Sequence, residues 1–174
     1  SREIVNSGGS QAEADQNMAL AVDYYKKALE IKPKDSELHN LLGAAYYYTG
    51  KTGNALGEYE KAIELDANNA SAHSNLGEYY FNVKKDYAKA LEVYQKAIKL
   101  YSQEISGSTL SSKDLKAKKF EMALCHYGMG SIYNFQGKAD KAIEQFNEVV
   151  KLDPNNLRGY VGLASSYELK GNKE

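Results

Sequence analysis

One cysteine, two prolines and no tryptophan occur in this chain of 174 residues. The lone thiol, Cys125, cannot close an intramolecular disulfide, so the fold owes nothing to oxidation and a reducing compartment such as the cytoplasm is permitted. No run approaches the roughly 18 apolar residues of a membrane span, so membrane insertion is not expected. No secretory signal is visible. Charge of one sign is also lacking: 22 basic residues against 23 acidic ones leave a formal charge of -1. Neither nucleic acid nor an anionic membrane therefore has an electrostatic reason to be the main partner. An initiator methionine is missing, and Ser1-Arg2 reads as the start of a processed or excised piece. What is abundant is tyrosine, fifteen residues in a composition 43% hydrophobic and 26% charged, ordinary for one or two globular domains.

Three of those tyrosines stand in the stretch Ala44-Ala45-Tyr46-Tyr47-Tyr48-Thr49-Gly50-Lys51-Thr52. From Ala45 it fits a relaxed phosphate-binding loop, alanine and four free residues before Gly-Lys-Thr. Such a loop wraps phosphates with backbone N–H groups between a strand and a helix. Here a 3.6-residue period precedes the glycine, so a helix end and a tight turn are expected instead.

Comparison of the chain with itself exposes a repeat. Ala21-Val22, Tyr25 and Ala28-Leu29 recur as Ala55-Leu56, Tyr59 and Ala62-Ile63, as Ala90-Leu91, Tyr94 and Ala97-Ile98, and as Ala142-Ile143, Phe146 and Val149-Val150. Their spacing is one face of an amphipathic helix. A second helical pattern alternates with it: His39, Leu42-Gly43, Tyr46; His73, Leu76-Gly77, Tyr80; His126, Met129-Gly130, Tyr133; Tyr160, Leu163-Ala164, Tyr167. Leu42 to Leu76 and Met129 to Leu163 are each 34 residues, whereas Ala55 to Ala90 is 35, with one residue added near Val83–Asp86.

In these motifs, over roughly residues 11 to 170, the chain resembles the tetratricopeptide repeat (TPR) family, with Pro33 and Pro154 at the closing proline of two repeats. The resemblance implies an all-α fold of helical hairpins stacked into a right-handed superhelix, an α-solenoid. A flexible segment 1–10 would precede a single array over 11–174. It would hold a partial unit 11–35, units 36–69 and 70–104, an insertion 105–122, a unit 123–156 and a partial unit 157–174. Within the insertion Ser106–Ser112 reads as loop, and Ser112 as the N-cap of a helix about ten residues longer than its counterparts. Lys113, Lys116, Lys118 and Lys119 against Asp114 give that piece a local positive excess, read as a solvated helix start before an acidic contact. Helix B of the last unit would have to begin where the chain stops at Glu174, which predicts a longer natural protein.

No catalytic constellation emerges. His39, His73 and His126 share one repeat position, and equivalent helices on the order of 10 Å apart cannot bring three nitrogens onto one metal. No Ser-His-Asp order or carboxylate pair stands out. No enzyme activity, metal or cofactor is expected, and Cys125 reads as a small buried thiol.

Function is then expected from the concave surface that the resemblance implies, a scaffold holding a peptide or protein segment. The family's groove positions fall on Glu37, Asn40, Ala44, Tyr47 and Tyr48, on Ser71, Ser74, Asn75, Glu78, Phe81 and Asn82, on Leu124, Tyr127, Ser131, Asn134 and Phe135, and on Arg158, Val161, Ser165, Glu168 and Leu169. The Lys/Asn/Arg clamp for the acidic tails of heat-shock chaperones is broken, because Asn40, Ala44, Leu124 and Gly128 stand at its positions. A chaperone tail is therefore not the expected partner. Self-association through the groove or an open array end is the alternative. RNA is disfavoured by a groove with Arg158 as its one cation.

Overall fold

A computed structural model describes residues 7–171, with eight α-helices, one π-helical turn and, among the described residues, no strand. The chain divides into two compact units, Ser1–Ala67 and Asn68–Glu174. In the first, α2 (Ser36–Tyr48) packs against α1 (Ser7–Ile31) and α3 (Thr52–Leu65). The second contains α4 (Ala70–Tyr79), the π-helical turn Tyr80–Lys84, α5 (Tyr87–Gly107), α6 (Ser112–Phe135), α7 (Ala139–Leu152) and α8 (Leu157–Gly171). There α4 pairs with α5 and α6 with α7, while α8 packs on α7 and α6. Of the expected flexible segment, residues 1–6 lie outside the described residues, and α1 already runs from Ser7.

Capping chemistry explains where these helices start. The carboxylate of Asp35 accepts the Leu38 N–H at 3.1 Å, the amide oxygen of Asn69 accepts the Ala72 N–H at 2.8 Å, and that of Asn156 accepts the Gly159 N–H at 3.1 Å. Met122 stands 34 residues before Asn156 and has no such oxygen. The helix therefore runs back through it to Ser111, whose hydroxyl accepts the Asp114 N–H at 3.1 Å and donates to the Asp114 carboxylate at 2.6 Å. A cap at Ser112 would put the inert Leu115 in the third position, which is why the cap falls one residue earlier than expected. The loop is also shorter than Ser106–Ser112. Ser106 stays helical, donating to the Ser102 carbonyl at 2.9 Å, and α5 continues to Gly107. An ion pair of Lys118 with Glu104 ties the extended α6 to α5.

The turns between paired helices come in two forms. Gly50 and Gly137 are left-handed, with φ of 74° and 70°, and the next N–H reaches back to close the helix, Lys51 to Tyr46 at 2.9 Å and Lys138 to Tyr133 at 2.8 Å. This is a glycine C-cap, and the phosphate-loop look-alike is that turn. Between α4 and α5 the added residue is absorbed as the π-helical turn, closed by the Asp86 N–H on the Tyr80 carbonyl at 3.0 Å with Lys85 left-handed at φ 55°. A π-turn is how a helix takes up one extra residue.

Rings lying on glycines organise the core. A Cβ built on Gly43 would stand 2.7 Å from the Tyr59 ring. In the second unit Tyr94 lies between Gly77 and Gly128, which would approach it to 2.6 and 2.8 Å, and Phe146 lies between Gly130 and Gly162, at 2.9 and 2.5 Å. The glycine of the pairs Leu42-Gly43, Leu76-Gly77 and Met129-Gly130 is thus the seat of a ring from the paired helix. Fully burying such a ring contributes roughly 2–3 kcal/mol. Around the rings, Ala55, Ala62, Ala90, Ala97 and Ala142 are sealed from solvent and keep the helices close.

Candidate functional site

In the first unit α2 carries five of the residues expected to bind, beginning with the exposed Glu37. Asn40 is buried, its amide donating to Glu37 at 3.4 Å; Ala44 and Tyr47 are half-buried; Tyr48 is 66% exposed. The Tyr47 and Tyr48 rings meet edge to face at 5.5 Å, so the outer ring is held by the inner one. Tyr46, only 7% exposed, faces the core as the repeat position requires.

In the second unit several expected residues serve contacts between helices. Ser74 is buried and accepts the Cys125 thiol at 3.2 Å, joining α4 to α6. Asn134 accepts the Ser166 hydroxyl at 2.8 Å, joining α6 to α8. Ser131 donates to the Tyr127 carbonyl at 2.9 Å, and Tyr127 rests edge-on against Phe146 at 5.7 Å. Asn75 and Glu78 are half-buried, Asn82 and Arg158 exposed. Phe81 and Phe135 meet Tyr87 of α5 at 6.0 and 4.9 Å, which leaves Phe135 71% exposed on a fixed support. Tyr87 was not singled out from the sequence; its place as the first residue of α5, opposite the end of α6, is what brings it there.

Two carboxylates have altered acidity. Burial raises the pKa of Glu78, and burial together with the charge of Glu78 raises that of Glu121. Both resist ionisation more than surface glutamates do.

The temptations of the sequence lead to packing. His39 bonds Glu58 at 2.6 Å and His126 bonds Gln145 at 2.9 Å, each reaching the paired helix from the same repeat position. Burial lowers the pKa of His126, opposed by the hydrogen bond its ring donates to the Gln145 amide oxygen. Among the described residues no group of His, Cys, Asp and Glu could hold a metal ion. Burial pushes the Cys125 thiol up to about 12, so it stays protonated and unreactive near neutral pH. No described helix is long and apolar enough to cross a membrane.

Family models describing the TPR repeat or tetratricopeptide repeat match residues 12–35, 24–57, 45–84, 72–103 and 123–156. No curated protein matches the sequence. Among solved structures, two of the protein MamA are similar at 27% and 26% identity, with TM-scores of 0.67 and 0.69. They cover 94% and 97% of this chain, and 79% and 87% of their own. The first TPR of Spaghetti (RPAP3), bound to the HSP90 peptide SRMEEVD, is 20% identical with a TM-score of 0.63 over 79% of this chain and 94% of its own, a likeness of fold alone. Repeat models spread along the chain and the helical hairpins that carry them agree: the chain belongs to the tetratricopeptide repeat family.

Proposed function

We propose that this chain is a non-enzymatic scaffold that holds a peptide or protein segment on A-type helices: α2 in the first unit, and α4, α6 and α8 in the second. One observation carries the reading: large aromatic rings, Tyr48 and Phe135, stand open to solvent yet are fixed by Tyr47 and Tyr87. A preorganised ring offers contact area at small entropic cost. Asn82 and Glu78 near Phe81 would supply polar groups for a backbone; the other residues assigned to binding are Asn40 and Ala44 in the first unit and Ser74, Asn75, Tyr127, Ser131 and Asn134 in the second. Copurification from cells with wild type, Tyr48→Ala and Phe135→Ala tests this. A partner retained by wild type and lost from either variant supports the surface; a partner retained equally by all three refutes it.

Self-association is a second reading, favoured by α8, where Tyr160, Val161 and Tyr167 are exposed. Light scattering over a concentration range separates the two, since only self-association makes the mass rise with concentration.

A further inference from the structure

Two clefts meet at Phe120 on the extended part of α6. The first, about 290 Å³, lies between Leu115, Lys116, Lys119 and Phe120 on one side and Leu152 and Pro154 on the other. The second, about 430 Å³, continues past Phe120 along Tyr127, Asn156, Leu157 and Arg158. Their floor is apolar and open, with Phe120 47% and Leu157 74% exposed. Their rim is cationic. Lys116, Lys119 and Arg158 are exposed, and none is held in an ion pair among the described residues. Lys118, on the same helix, is turned away to Glu104. Among the described residues Asp153 is the one carboxylate lining either cleft, and its oxygens accept the Asn155 N–H at 3.2 Å and the Asn156 amide at 3.3 Å. Three uncommitted cations thus surround an apolar floor in a chain whose formal charge is -1.

We propose that this surface docks an acidic, apolar segment of a partner protein. Leucine- or phenylalanine-type side chains would cover Phe120 and Leu157, and flanking carboxylates would meet Lys116, Lys119 and Arg158. Free phosphate matches the charges but gains nothing from an exposed apolar floor, whereas alternating carboxylates and apolar side chains use both. The proposal rests on the groove reading at Tyr127 and Arg158, which both share, and adds the Lys116–Phe120 stretch to it.

The test is selection of a random 12-residue phage-displayed peptide library on the full chain. Binding is then compared with the Lys116→Glu/Lys119→Glu/Arg158→Glu variant, its fold checked by circular dichroism. Peptides with two or more carboxylates flanking Leu, Ile or Phe are expected, binding about tenfold or more weaker to the variant and weaker in high salt. Arg158→Gln alone should weaken them severalfold, which keeps the test open if the triple variant misfolds. Selected peptides that bind wild type and variant equally overturn this proposal and leave the groove reading standing. No selectable peptide at all overturns both. Binding of a 20-nucleotide uridine RNA that is lost in the variant assigns the clefts to nucleic acid and overturns the proposal. Dimerisation of the chain that is lost in the variant assigns them to a second copy, with the same result.

Discussion

The hairpins α4–α5 and α6–α7 share a core and differ in their joint. From Gly77 to Tyr94 is 17 residues, and from Gly130 to Phe146 is 16. The added residue is spent entirely in the π-helical turn, so Tyr94 still lands on Gly77 as Phe146 lands on Gly130. The ring seat fixes the register, and the turn adapts to it.

Breaking the seat should therefore have the largest effect. Tyr94→Ala removes a ring that two glycines contact and should cost about 4 kcal/mol, the range for deleting a buried aromatic. Gly77→Ala and Gly162→Ala push a methyl into the ring and should each cost about 2 kcal/mol even after alanine's helical preference is credited. Urea denaturation checks all three. If Gly77→Ala proves as stable as wild type, the seat does not set the register.

Next in size is the contrast among the three consecutive tyrosines. Tyr46→Ala should cost on the order of 3 kcal/mol because its ring is buried. Tyr48→Ala, like Phe135→Ala, should stay within about 1 kcal/mol, because most of the ring is already in water. Denaturation midpoints in the reverse order would mean that the repeat register assigned to α2 is wrong.

The same contrast shows how far the sequence could be read. The repeat position of Tyr46 predicts its burial, and the spacing of Ala55, Tyr59 and Ala62 predicts a helix, because side-chain period and burial are local properties. Equivalent positions nonetheless diverge with what surrounds them: Tyr80 and Tyr133 are half-buried and Tyr167 is 58% exposed. Gly128 and Gly162 could not be recognised as ring seats, since a ring on a neighbouring hairpin defines them. The cap at Ser111 depends on Asp114 three residues on, which both accepts from the Ser111 hydroxyl and donates its N–H to it, and the added residue locates the π-helical turn without fixing its geometry. Of the surface residues, Asn40 and Ser74 show the limit plainly, because a repeat position gives a direction but not the partner that occupies it.

The joints themselves should show smaller effects of opposite sign. Gly137→Ala forces a Cβ into a left-handed residue and should cost about 1 kcal/mol. Lys85→Gly relieves that conformation and should stabilise by up to about 1 kcal/mol. Thermal melting of the two variants checks the pair. Were Lys85→Gly destabilising, the lysine side chain would be contributing more than its backbone costs.

The smallest effect concerns pH within the α6–α7 hairpin. Burial holds His126 below its ordinary pKa, with Lys151 acting in the same sense and Gln145, Glu148 and Glu144 opposing. The folded chain thus takes up this proton less readily than the unfolded chain, whose histidine titrates near about 6.5. The stability it contributes is present above that value and is lost as pH falls through the folded pKa. Glu121 has the opposite sign: its raised pKa makes its contribution greatest below about 4.5 and lost as pH rises through the folded value. Between pH 7.5 and 5.5 the urea midpoint should therefore fall through His126 and fall less in His126→Gln, whose amide can still donate to Gln145. In Glu121→Gln the fall should be at least as large as in wild type, because the opposing carboxylate is gone. A midpoint that drops equally in wild type and His126→Gln would place the acid sensitivity elsewhere in the chain.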